Sequence, residues 1–186
     1  MKRETVERLR FLLFSIVVLL FAAGYRPTIY GNDPASIERY IMETAGERLG
    51  DHVELLAVED RGEDRFVLFR RQQKKPDDVW IVRFRQNEGG KYEAYSSRRP
   101  YSMYCARPGS RIYTEFLTGW DDDRSVYFVG WSENPKVETL WLRFDEQPEM
   151  TLPIKENPSL TILEFQAGYG GFHASHEFRD AQGNEV

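Results

Sequence analysis

The chain of 186 residues contains one cysteine, Cys105, and therefore cannot form an intramolecular disulfide. A hydrophobic core must hold the fold together, and the 41% of hydrophobic residues suffices for one. No histidine lies close to Cys105 in the sequence, which favours a small buried side chain there over a reactive thiol. The length argues for one domain rather than two, and the aromatic content of 14% excludes a disordered chain.

An excess of positive charge is also absent. Removing the four basic and two acidic residues of positions 2–10 from the totals of 25 and 30 leaves a net charge of −7. Nucleic-acid binding needs a basic surface that displaces phosphate counterions, so the acidic remainder argues against a nucleic-acid partner. It argues equally against adhesion to anionic lipid by charge alone.

One uncharged run, Phe11–Gly24, follows the net-basic residues 1–10, and only Ser15 interrupts its apolar character. This layout is typical of a secretory signal or an uncleaved signal anchor. A buried core helix would instead carry polar residues at helical spacing. The run predicts a single pass through a bacterial cell membrane, with residues 1–10 inside as a cytoplasmic basic tail and the C-terminal domain outside. The predicted anchor spans residues 11–25 and includes Phe11, Leu12, Leu13, Ile16, Val17 and Leu20.

Whether the segment is cleaved depends on two opposing features. Fourteen helical residues rise about 21 Å, less than the roughly 30 Å hydrocarbon core, which favours a signal peptide. A cleavage site needs small residues one and three positions before the cut, and Ala22 and Gly24 before Tyr25 fit only in part. Arg10 and Arg26 can extend their charges to the membrane surface on either side. We favour retention, with secretion after cleavage near Gly24 as the alternative.

The remaining sequence predicts a tether at residues 26–32 and one extracytoplasmic β-rich domain at residues 33–186. Asp33 and Pro34 suit the N-cap and first position of a helix, and Gly50 suits its end. Apolar residues recur on one face of this amphipathic helix, at Ile37, Tyr40, Ile41, Ala45 and Leu49.

From His52 onward, short runs rich in Val, Ile, Phe, Tyr and Trp alternate with turn residues, as in a meander of antiparallel strands. Asp60–Asp64 and Asn87–Gly90 predict hairpin turns between pairs of these strands. The fold class predicted is α+β, mainly β, with a membrane helix, one amphipathic helix, and antiparallel strands in a sheet or two-layer sandwich. The strand runs span residues 53–59, 66–71, 79–85, 91–97, 112–117, 125–131, 137–144 and 160–165, followed by a closing hairpin.

His173, His176 and Glu177 form the cluster that most resembles a metal or catalytic site. The surrounding residues predict a strand, in which positions i and i+3 point to opposite faces, so the two imidazoles would not share a metal. A serine nucleophile at Ser175 lacks the sharp turn that such residues occupy. No cofactor is implied, since no βαβ alternation appears and no Lys-Ser/Thr pair follows the glycines at 168–171.

Three aromatic residues lie in predicted loops, where exposed aromatics mark contact surfaces: Trp120, Tyr169 and Phe172. They are the candidates for binding a protein or peptide partner at the outer face of the membrane. Trp80, Trp131 and Trp141 lie inside strand runs, and core packing accounts for them.

Residues Gly130–Phe144 contain a Gly, an Asn-Pro pair and an alternating apolar strand, and Asp180, Gly183 and Asn184 end a closing strand about forty residues later. In this arrangement, and in its tether and Asp33-Pro34 helix start, the chain resembles uncharacterised N-terminally membrane-anchored extracytoplasmic proteins of spore-forming Gram-positive bacteria. The resemblance implies a location and a small β-rich fold, and it carries over no activity, cofactor or catalytic residue.

The sequence thus favours a membrane-tethered extracytoplasmic domain that binds or senses without catalysis. The alternative is a secreted hydrolase or metal-dependent domain that uses His173, His176 and Glu177. A structural subunit of a membrane complex is a third hypothesis.

Overall fold

The computed structural model describes Ser15 and residues 28–44, 53–71, 78–94, 100–105, 107–118, 124–145, 147–168 and 171–186. One helix, α1 (Pro34–Thr44), precedes twelve strands in this part of the chain. The strands are β1 (Val53–Arg61), β2 (Asp64–Arg71), β3 (Val79–Gln86), β4 (Tyr92–Ala94), β5 (Tyr101–Ser102), β6 (Tyr104–Cys105), β7 (Ile112–Thr118), β8 (Ser125–Ser132), β9 (Thr139–Phe144), β10 (Met150–Pro153), β11 (Ser159–Gln166) and β12 (Ala174–Arg179).

The strands form three antiparallel sheets. Sheet A has the order β1-β2-β3-β4, with β5 also paired to β3; sheet B has the order β11-β8-β7-β6; and sheet C has the order β10-β9-β12. The predicted turns after β1 and β3 do close hairpins, in register Arg61↔Asp64 and Gln86↔Tyr92. The closing hairpin is also present, since Asp180 accepts hydrogen bonds from the amides of Gln182 and Asn184.

Helix α1 begins where the sequence predicts. The Asp33 side chain accepts a 3.0 Å hydrogen bond from the Ser36 amide, and the Ser36 hydroxyl lies 3.2 Å from the Asp33 amide, which satisfies the first turn from both sides. Ile37 and Ile41, one helical turn apart, are each 1% exposed and pack against sheet A. The helix is therefore held by its apolar face, as expected for a segment of eleven residues.

The elements stack in four layers because the strands of sheets A and B are apolar on both faces. Alternate residues of β2 point to opposite sides: Val67 and Phe69 meet α1, whereas Phe66 and Leu68 meet sheet B. All eight residues of β8 are buried, which places sheet B in the interior. Its second face packs on sheet C through Ile112, Val126, Phe128, Leu140, Leu142, Phe144, Phe165 and Phe178.

Residues 101–105 cross from sheet A to sheet B. Tyr101–Ser102 pairs with β3 in sheet A, and Tyr104–Cys105 pairs with β7 in sheet B. Met103 lies between them, 4% exposed, and its amide donates a 2.8 Å hydrogen bond to the Val79 carbonyl. This crossover leaves Cys105 half-buried, with its sulfur 3.1 Å from the Arg107 carbonyl oxygen.

The prediction of a mainly β, antiparallel fold with one short soluble helix is confirmed, with three sheets in place of one or two. The strands β5, β6 and β10 are additional to the predicted runs. No helix among the described residues has the length and apolarity needed to cross a membrane. The predicted anchor, with Phe11, Leu12, Leu13, Ile16, Val17 and Leu20, lies outside those residues.

Candidate functional site

Residues 28–32, which we call the strap, lie along the outer edge of sheet A. Tyr30 forms an antiparallel bridge with Glu93 of strand β4. The Gly31 amide donates a 2.7 Å hydrogen bond to the Tyr92 carbonyl, and the Tyr92 amide donates a 2.8 Å hydrogen bond to the Asn32 side chain. Residues 28–32 of the predicted tether are thus bound to the domain and cover the open side of β4.

Arg65 on β2 fastens the strap from a second direction. Its guanidinium donates hydrogen bonds of 2.9 Å to the Gly31 carbonyl and 3.1 Å to the Asn32 carbonyl. Two further bonds of 2.7 and 2.8 Å join it to the Asp60 carboxylate, and it lies 3.9 Å from the centre of the Tyr92 ring. The hydrogen bond with Arg65 lowers the pKa of Asp60, so both groups stay charged at neutral pH.

Gly31 permits this close approach. A Cβ atom at this position would lie 2.6 Å from an atom of the Phe84 ring, which is fully buried between sheet A and α1. Any larger residue would have to move either the strap or that core ring. The strap therefore depends on glycine here for space rather than for an unusual backbone conformation.

A cleft of about 480 Å³ opens beside the strap. Its walls are the strap, the first turns of α1 and Lys91 of the β3–β4 turn. The Lys91 ammonium lies 4.8 Å from the centre of the Tyr30 ring, and Arg39 forms an exposed 3.0 Å ion pair with Glu43. The cleft combines a concave shape with polar groups on its walls, which makes it a candidate ligand site.

The predicted histidine cluster does not converge. His173 is exposed, and its amide donates a 2.6 Å hydrogen bond to Asp145. His176 points into the core between sheets B and C, where its ring centre lies 5.2 Å from that of Phe128. Glu177 points to the opposite, outer face of sheet C and pairs with Arg179 at 2.6 Å.

The described residues also include no group of three His, Cys, Asp or Glu side chains placed to hold a metal ion. His176 and Glu177 cannot act together on one substrate, since they lie on opposite faces of β12. The geometry therefore favours a packing role for His176.

We expect His176 to make the fold sensitive to mild acid. Burial lowers the pKa of His176 in the folded chain, and the charge of Glu185 offsets this shift in part. The pKa of a histidine in the unfolded chain is about 6.5. Below the pKa of the unfolded histidine, the unfolded chain binds more protons than the folded chain. The free energy of unfolding therefore decreases as the pH falls from that pKa towards the lowered pKa of His176 in the folded chain. In urea denaturation, the free energy of unfolding of His176→Phe should decrease less between pH 7 and pH 5 than that of the wild type. The exposed control His173→Gln should follow the wild type.

Urea denaturation also tests the alternative, a metal site at His173, His176 and Glu177. Added zinc or a chelator should leave the midpoint of the wild type unchanged. A zinc-dependent rise in the midpoint that His176→Phe abolishes would contradict the packing role.

Of the three predicted contact aromatics, the structure describes Phe172. Its ring stacks on Phe144, with centres 5.2 Å apart, and lies 5.4 Å from Phe116, so it is half-buried at the edge of the core between sheets B and C. Trp120 and Tyr169 lie outside the described residues. A binding role for the three remains a prediction.

The expectation that core packing accounts for Trp141 is wrong. Its neighbours Leu140 and Leu142 fill the core, so the indole lies on the outer face of sheet C. There its Nε1 donates a 3.3 Å hydrogen bond to Glu149, and the Arg179 guanidinium lies 5.3 Å from the ring. The alternation of Leu140, Trp141 and Leu142 predicts this outward position, because successive residues of a strand point to opposite faces of the sheet.

Two ion pairs lie between sheets A and B, one at each end of their shared core. Asp64 and Arg83 are joined at 2.6 Å with side chains 6% and 9% exposed, and the Tyr127 hydroxyl lies 3.3 Å from the same carboxylate. At the other end, Arg70 donates two 3.0 Å hydrogen bonds to Glu133. Burial raises the pKa of Tyr127, and the Asp64 charge adds to the shift, so the phenol stays protonated as a donor.

Comparison with known proteins found no matching family model, no matching curated protein and no matching solved structure. The resemblance to anchored extracytoplasmic proteins of spore-forming bacteria therefore stays a prediction.

Proposed function

We propose that the protein is a membrane-tethered extracytoplasmic domain that binds or senses a partner without catalysis. The strap carries this proposal. Three residues separate Gly24, the end of the apolar run, from Thr28, the first residue of the strap. Because the strap is bound to β4 and to Arg65, an anchor at Phe11–Gly24 would hold the domain in a defined position against the membrane.

The absence of a reactive constellation in the described residues supports a non-catalytic role. The Asp64–Arg83 pair links two strands of sheet A, the Arg70–Glu133 pair links sheet A to the residue after β8, and His176 packs among phenylalanines. Catalysis needs an acid, base or nucleophile aimed at a common point in a cleft, and the cleft beside the strap is lined instead by surface charges and hydroxyls.

The sidedness of the domain can be measured with single cysteines, since Cys105 is the natural one and Cys105→Ala removes it. Ser175→Cys, exposed on β12, should react with a membrane-impermeant maleimide in intact bacterial cells. Glu4→Cys, in the predicted cytoplasmic tail, should react only after lysis. Labelling of Ser175→Cys solely after lysis would refute export.

A further inference from the structure

The cleft beside the strap is locally basic, although the chain after residue 10 carries a net charge of −7. Arg39 and Lys91 are both exposed on its walls. The one acidic wall residue, Asp33, already accepts hydrogen bonds from the Ser36 amide and hydroxyl as the cap of α1. These bonds lower the pKa of Asp33, so its carboxylate stays charged and the lining of the cleft holds two cations and one anion.

These cations are weakly held by the protein. Arg39 pairs with Glu43, but their side chains are 62% and 55% exposed, and pairs at such exposure contribute little to stability. Lys91 lies over the Tyr30 ring of the strap. A ligand with a phosphate group could therefore engage both side chains without breaking a buried interaction.

The short distance in sequence between the predicted anchor and the strap places the cleft close to the membrane. From Gly24 to Thr28 the backbone spans at most about 14 Å when fully extended. The strap cannot release more chain while it stays bonded to Tyr92 and Arg65. With Phe11–Gly24 in a bilayer, the strap lies within about 14 Å of the hydrocarbon core, which brings the headgroups within reach of the cleft.

We propose that the cleft binds the phosphate of an anionic phospholipid headgroup, with Arg39 as the bidentate donor and Lys91 as a point charge. This rests on the proposed function, since the anchor supplies the proximity that an acidic domain would not achieve by charge alone. A guanidinium matches the geometry of phosphate oxygens, and an ammonium needs no particular orientation. Because the Asp33 carboxylate offsets one of the two cations, an anionic surface favours the docked orientation by roughly fivefold.

The test uses the full chain with Cys105→Ala and Ala35→Cys, which places a fluorophore at the wall of the cleft. The protein is reconstituted into nanodiscs of phosphatidylcholine, alone or with phosphatidylglycerol as the minor component, each with a headgroup-attached quencher. We expect several-fold stronger quenching with phosphatidylglycerol, and loss of this increment in Arg39→Gln/Lys91→Gln. The matched control Arg143→Gln/Lys155→Gln removes the same charge from exposed positions on and beyond sheet C and should retain the increment.

Equal quenching in the two lipid mixtures, or an increment that the control loses as well, would overturn the headgroup site while leaving the anchor intact. If inorganic phosphate at constant ionic strength abolished the increment at millimolar concentration, a free anion would be the ligand, and the lipid assignment would be wrong. A chain that fails to stay in nanodiscs of either composition would overturn the anchor, and the headgroup site with it.

Discussion

Replacing Arg83 with Met is expected to lower the free energy of unfolding by about 3–5 kcal/mol, the usual cost of removing one side of a buried ion pair. The Asp64 carboxylate would remain between sheets A and B, with side-chain exposure of 6%, and would lose its 2.6 Å bond to the guanidinium. The guanidinium also lies 4.4 Å from the centre of the Tyr127 ring, so its removal opens the packing there. Urea denaturation followed by tryptophan fluorescence measures the loss.

The matched control is Arg85→Met, two residues along the same strand. Arg85 pairs with Glu63 at 3.3 Å, with side chains 39% and 67% exposed, and should cost less than about 1 kcal/mol. The double variant Asp64→Leu/Arg83→Met should recover most of the loss, because it removes both charges from the interior. Equal losses for Arg83→Met and Arg85→Met would show that the buried pair contributes no more to stability than the exposed one.

The second large effect is expected for Gly31→Ala, which should destabilise the domain by about 1–3 kcal/mol and release the strap. The added methyl group would lie 2.6 Å from the ring of Phe84, and that ring is confined by Ile37 and Ile41 of α1. Hydrogen exchange at residue 31 reports the result directly, since the Gly31 amide is bonded to the Tyr92 carbonyl in the native chain.

Gly168→Ala serves as the control for this experiment. Its Cβ would meet the Gly171 carbonyl oxygen at 3.9 Å, an ordinary contact, so stability and exchange at Gly31 should be unchanged. Protection at residue 31 that survives the alanine would mean that the strap is not seated against Phe84.

The sequence predicts the strands that carry clear alternation or lie next to a strong turn. The burial of Val67, Leu68 and Phe69 follows from the sequence, because a strand that is apolar on both faces must be covered on both faces. The two-residue strands β5 and β6 are too short to show periodicity, and β10 ends at Pro153 within a segment that looks like a loop. Their pairing depends on the neighbouring sheets rather than on local preference.

The strap and the buried ion pairs escape prediction for a related reason. Nothing local marks residues 28–32 as an edge segment, since their partners Arg65 and Tyr92 are more than thirty residues away. Asp64 and Arg83 look like ordinary surface charges until the register of β2 and β3 places both on the face towards sheet B. By contrast, the separation of His176 from His173 follows from strand parity and could be anticipated.

The most direct test of the account is the mass and N-terminal sequence of the mature protein recovered from the membrane fraction of a bacterial cell. Retention of Phe11–Gly24 as an anchor predicts a chain that begins ahead of Phe11 and leaves the membrane only with detergent. A mature chain that begins at Tyr25 and appears in the medium would contradict it. In that case the strap would begin a secreted domain, and the cleft would have no membrane beside it.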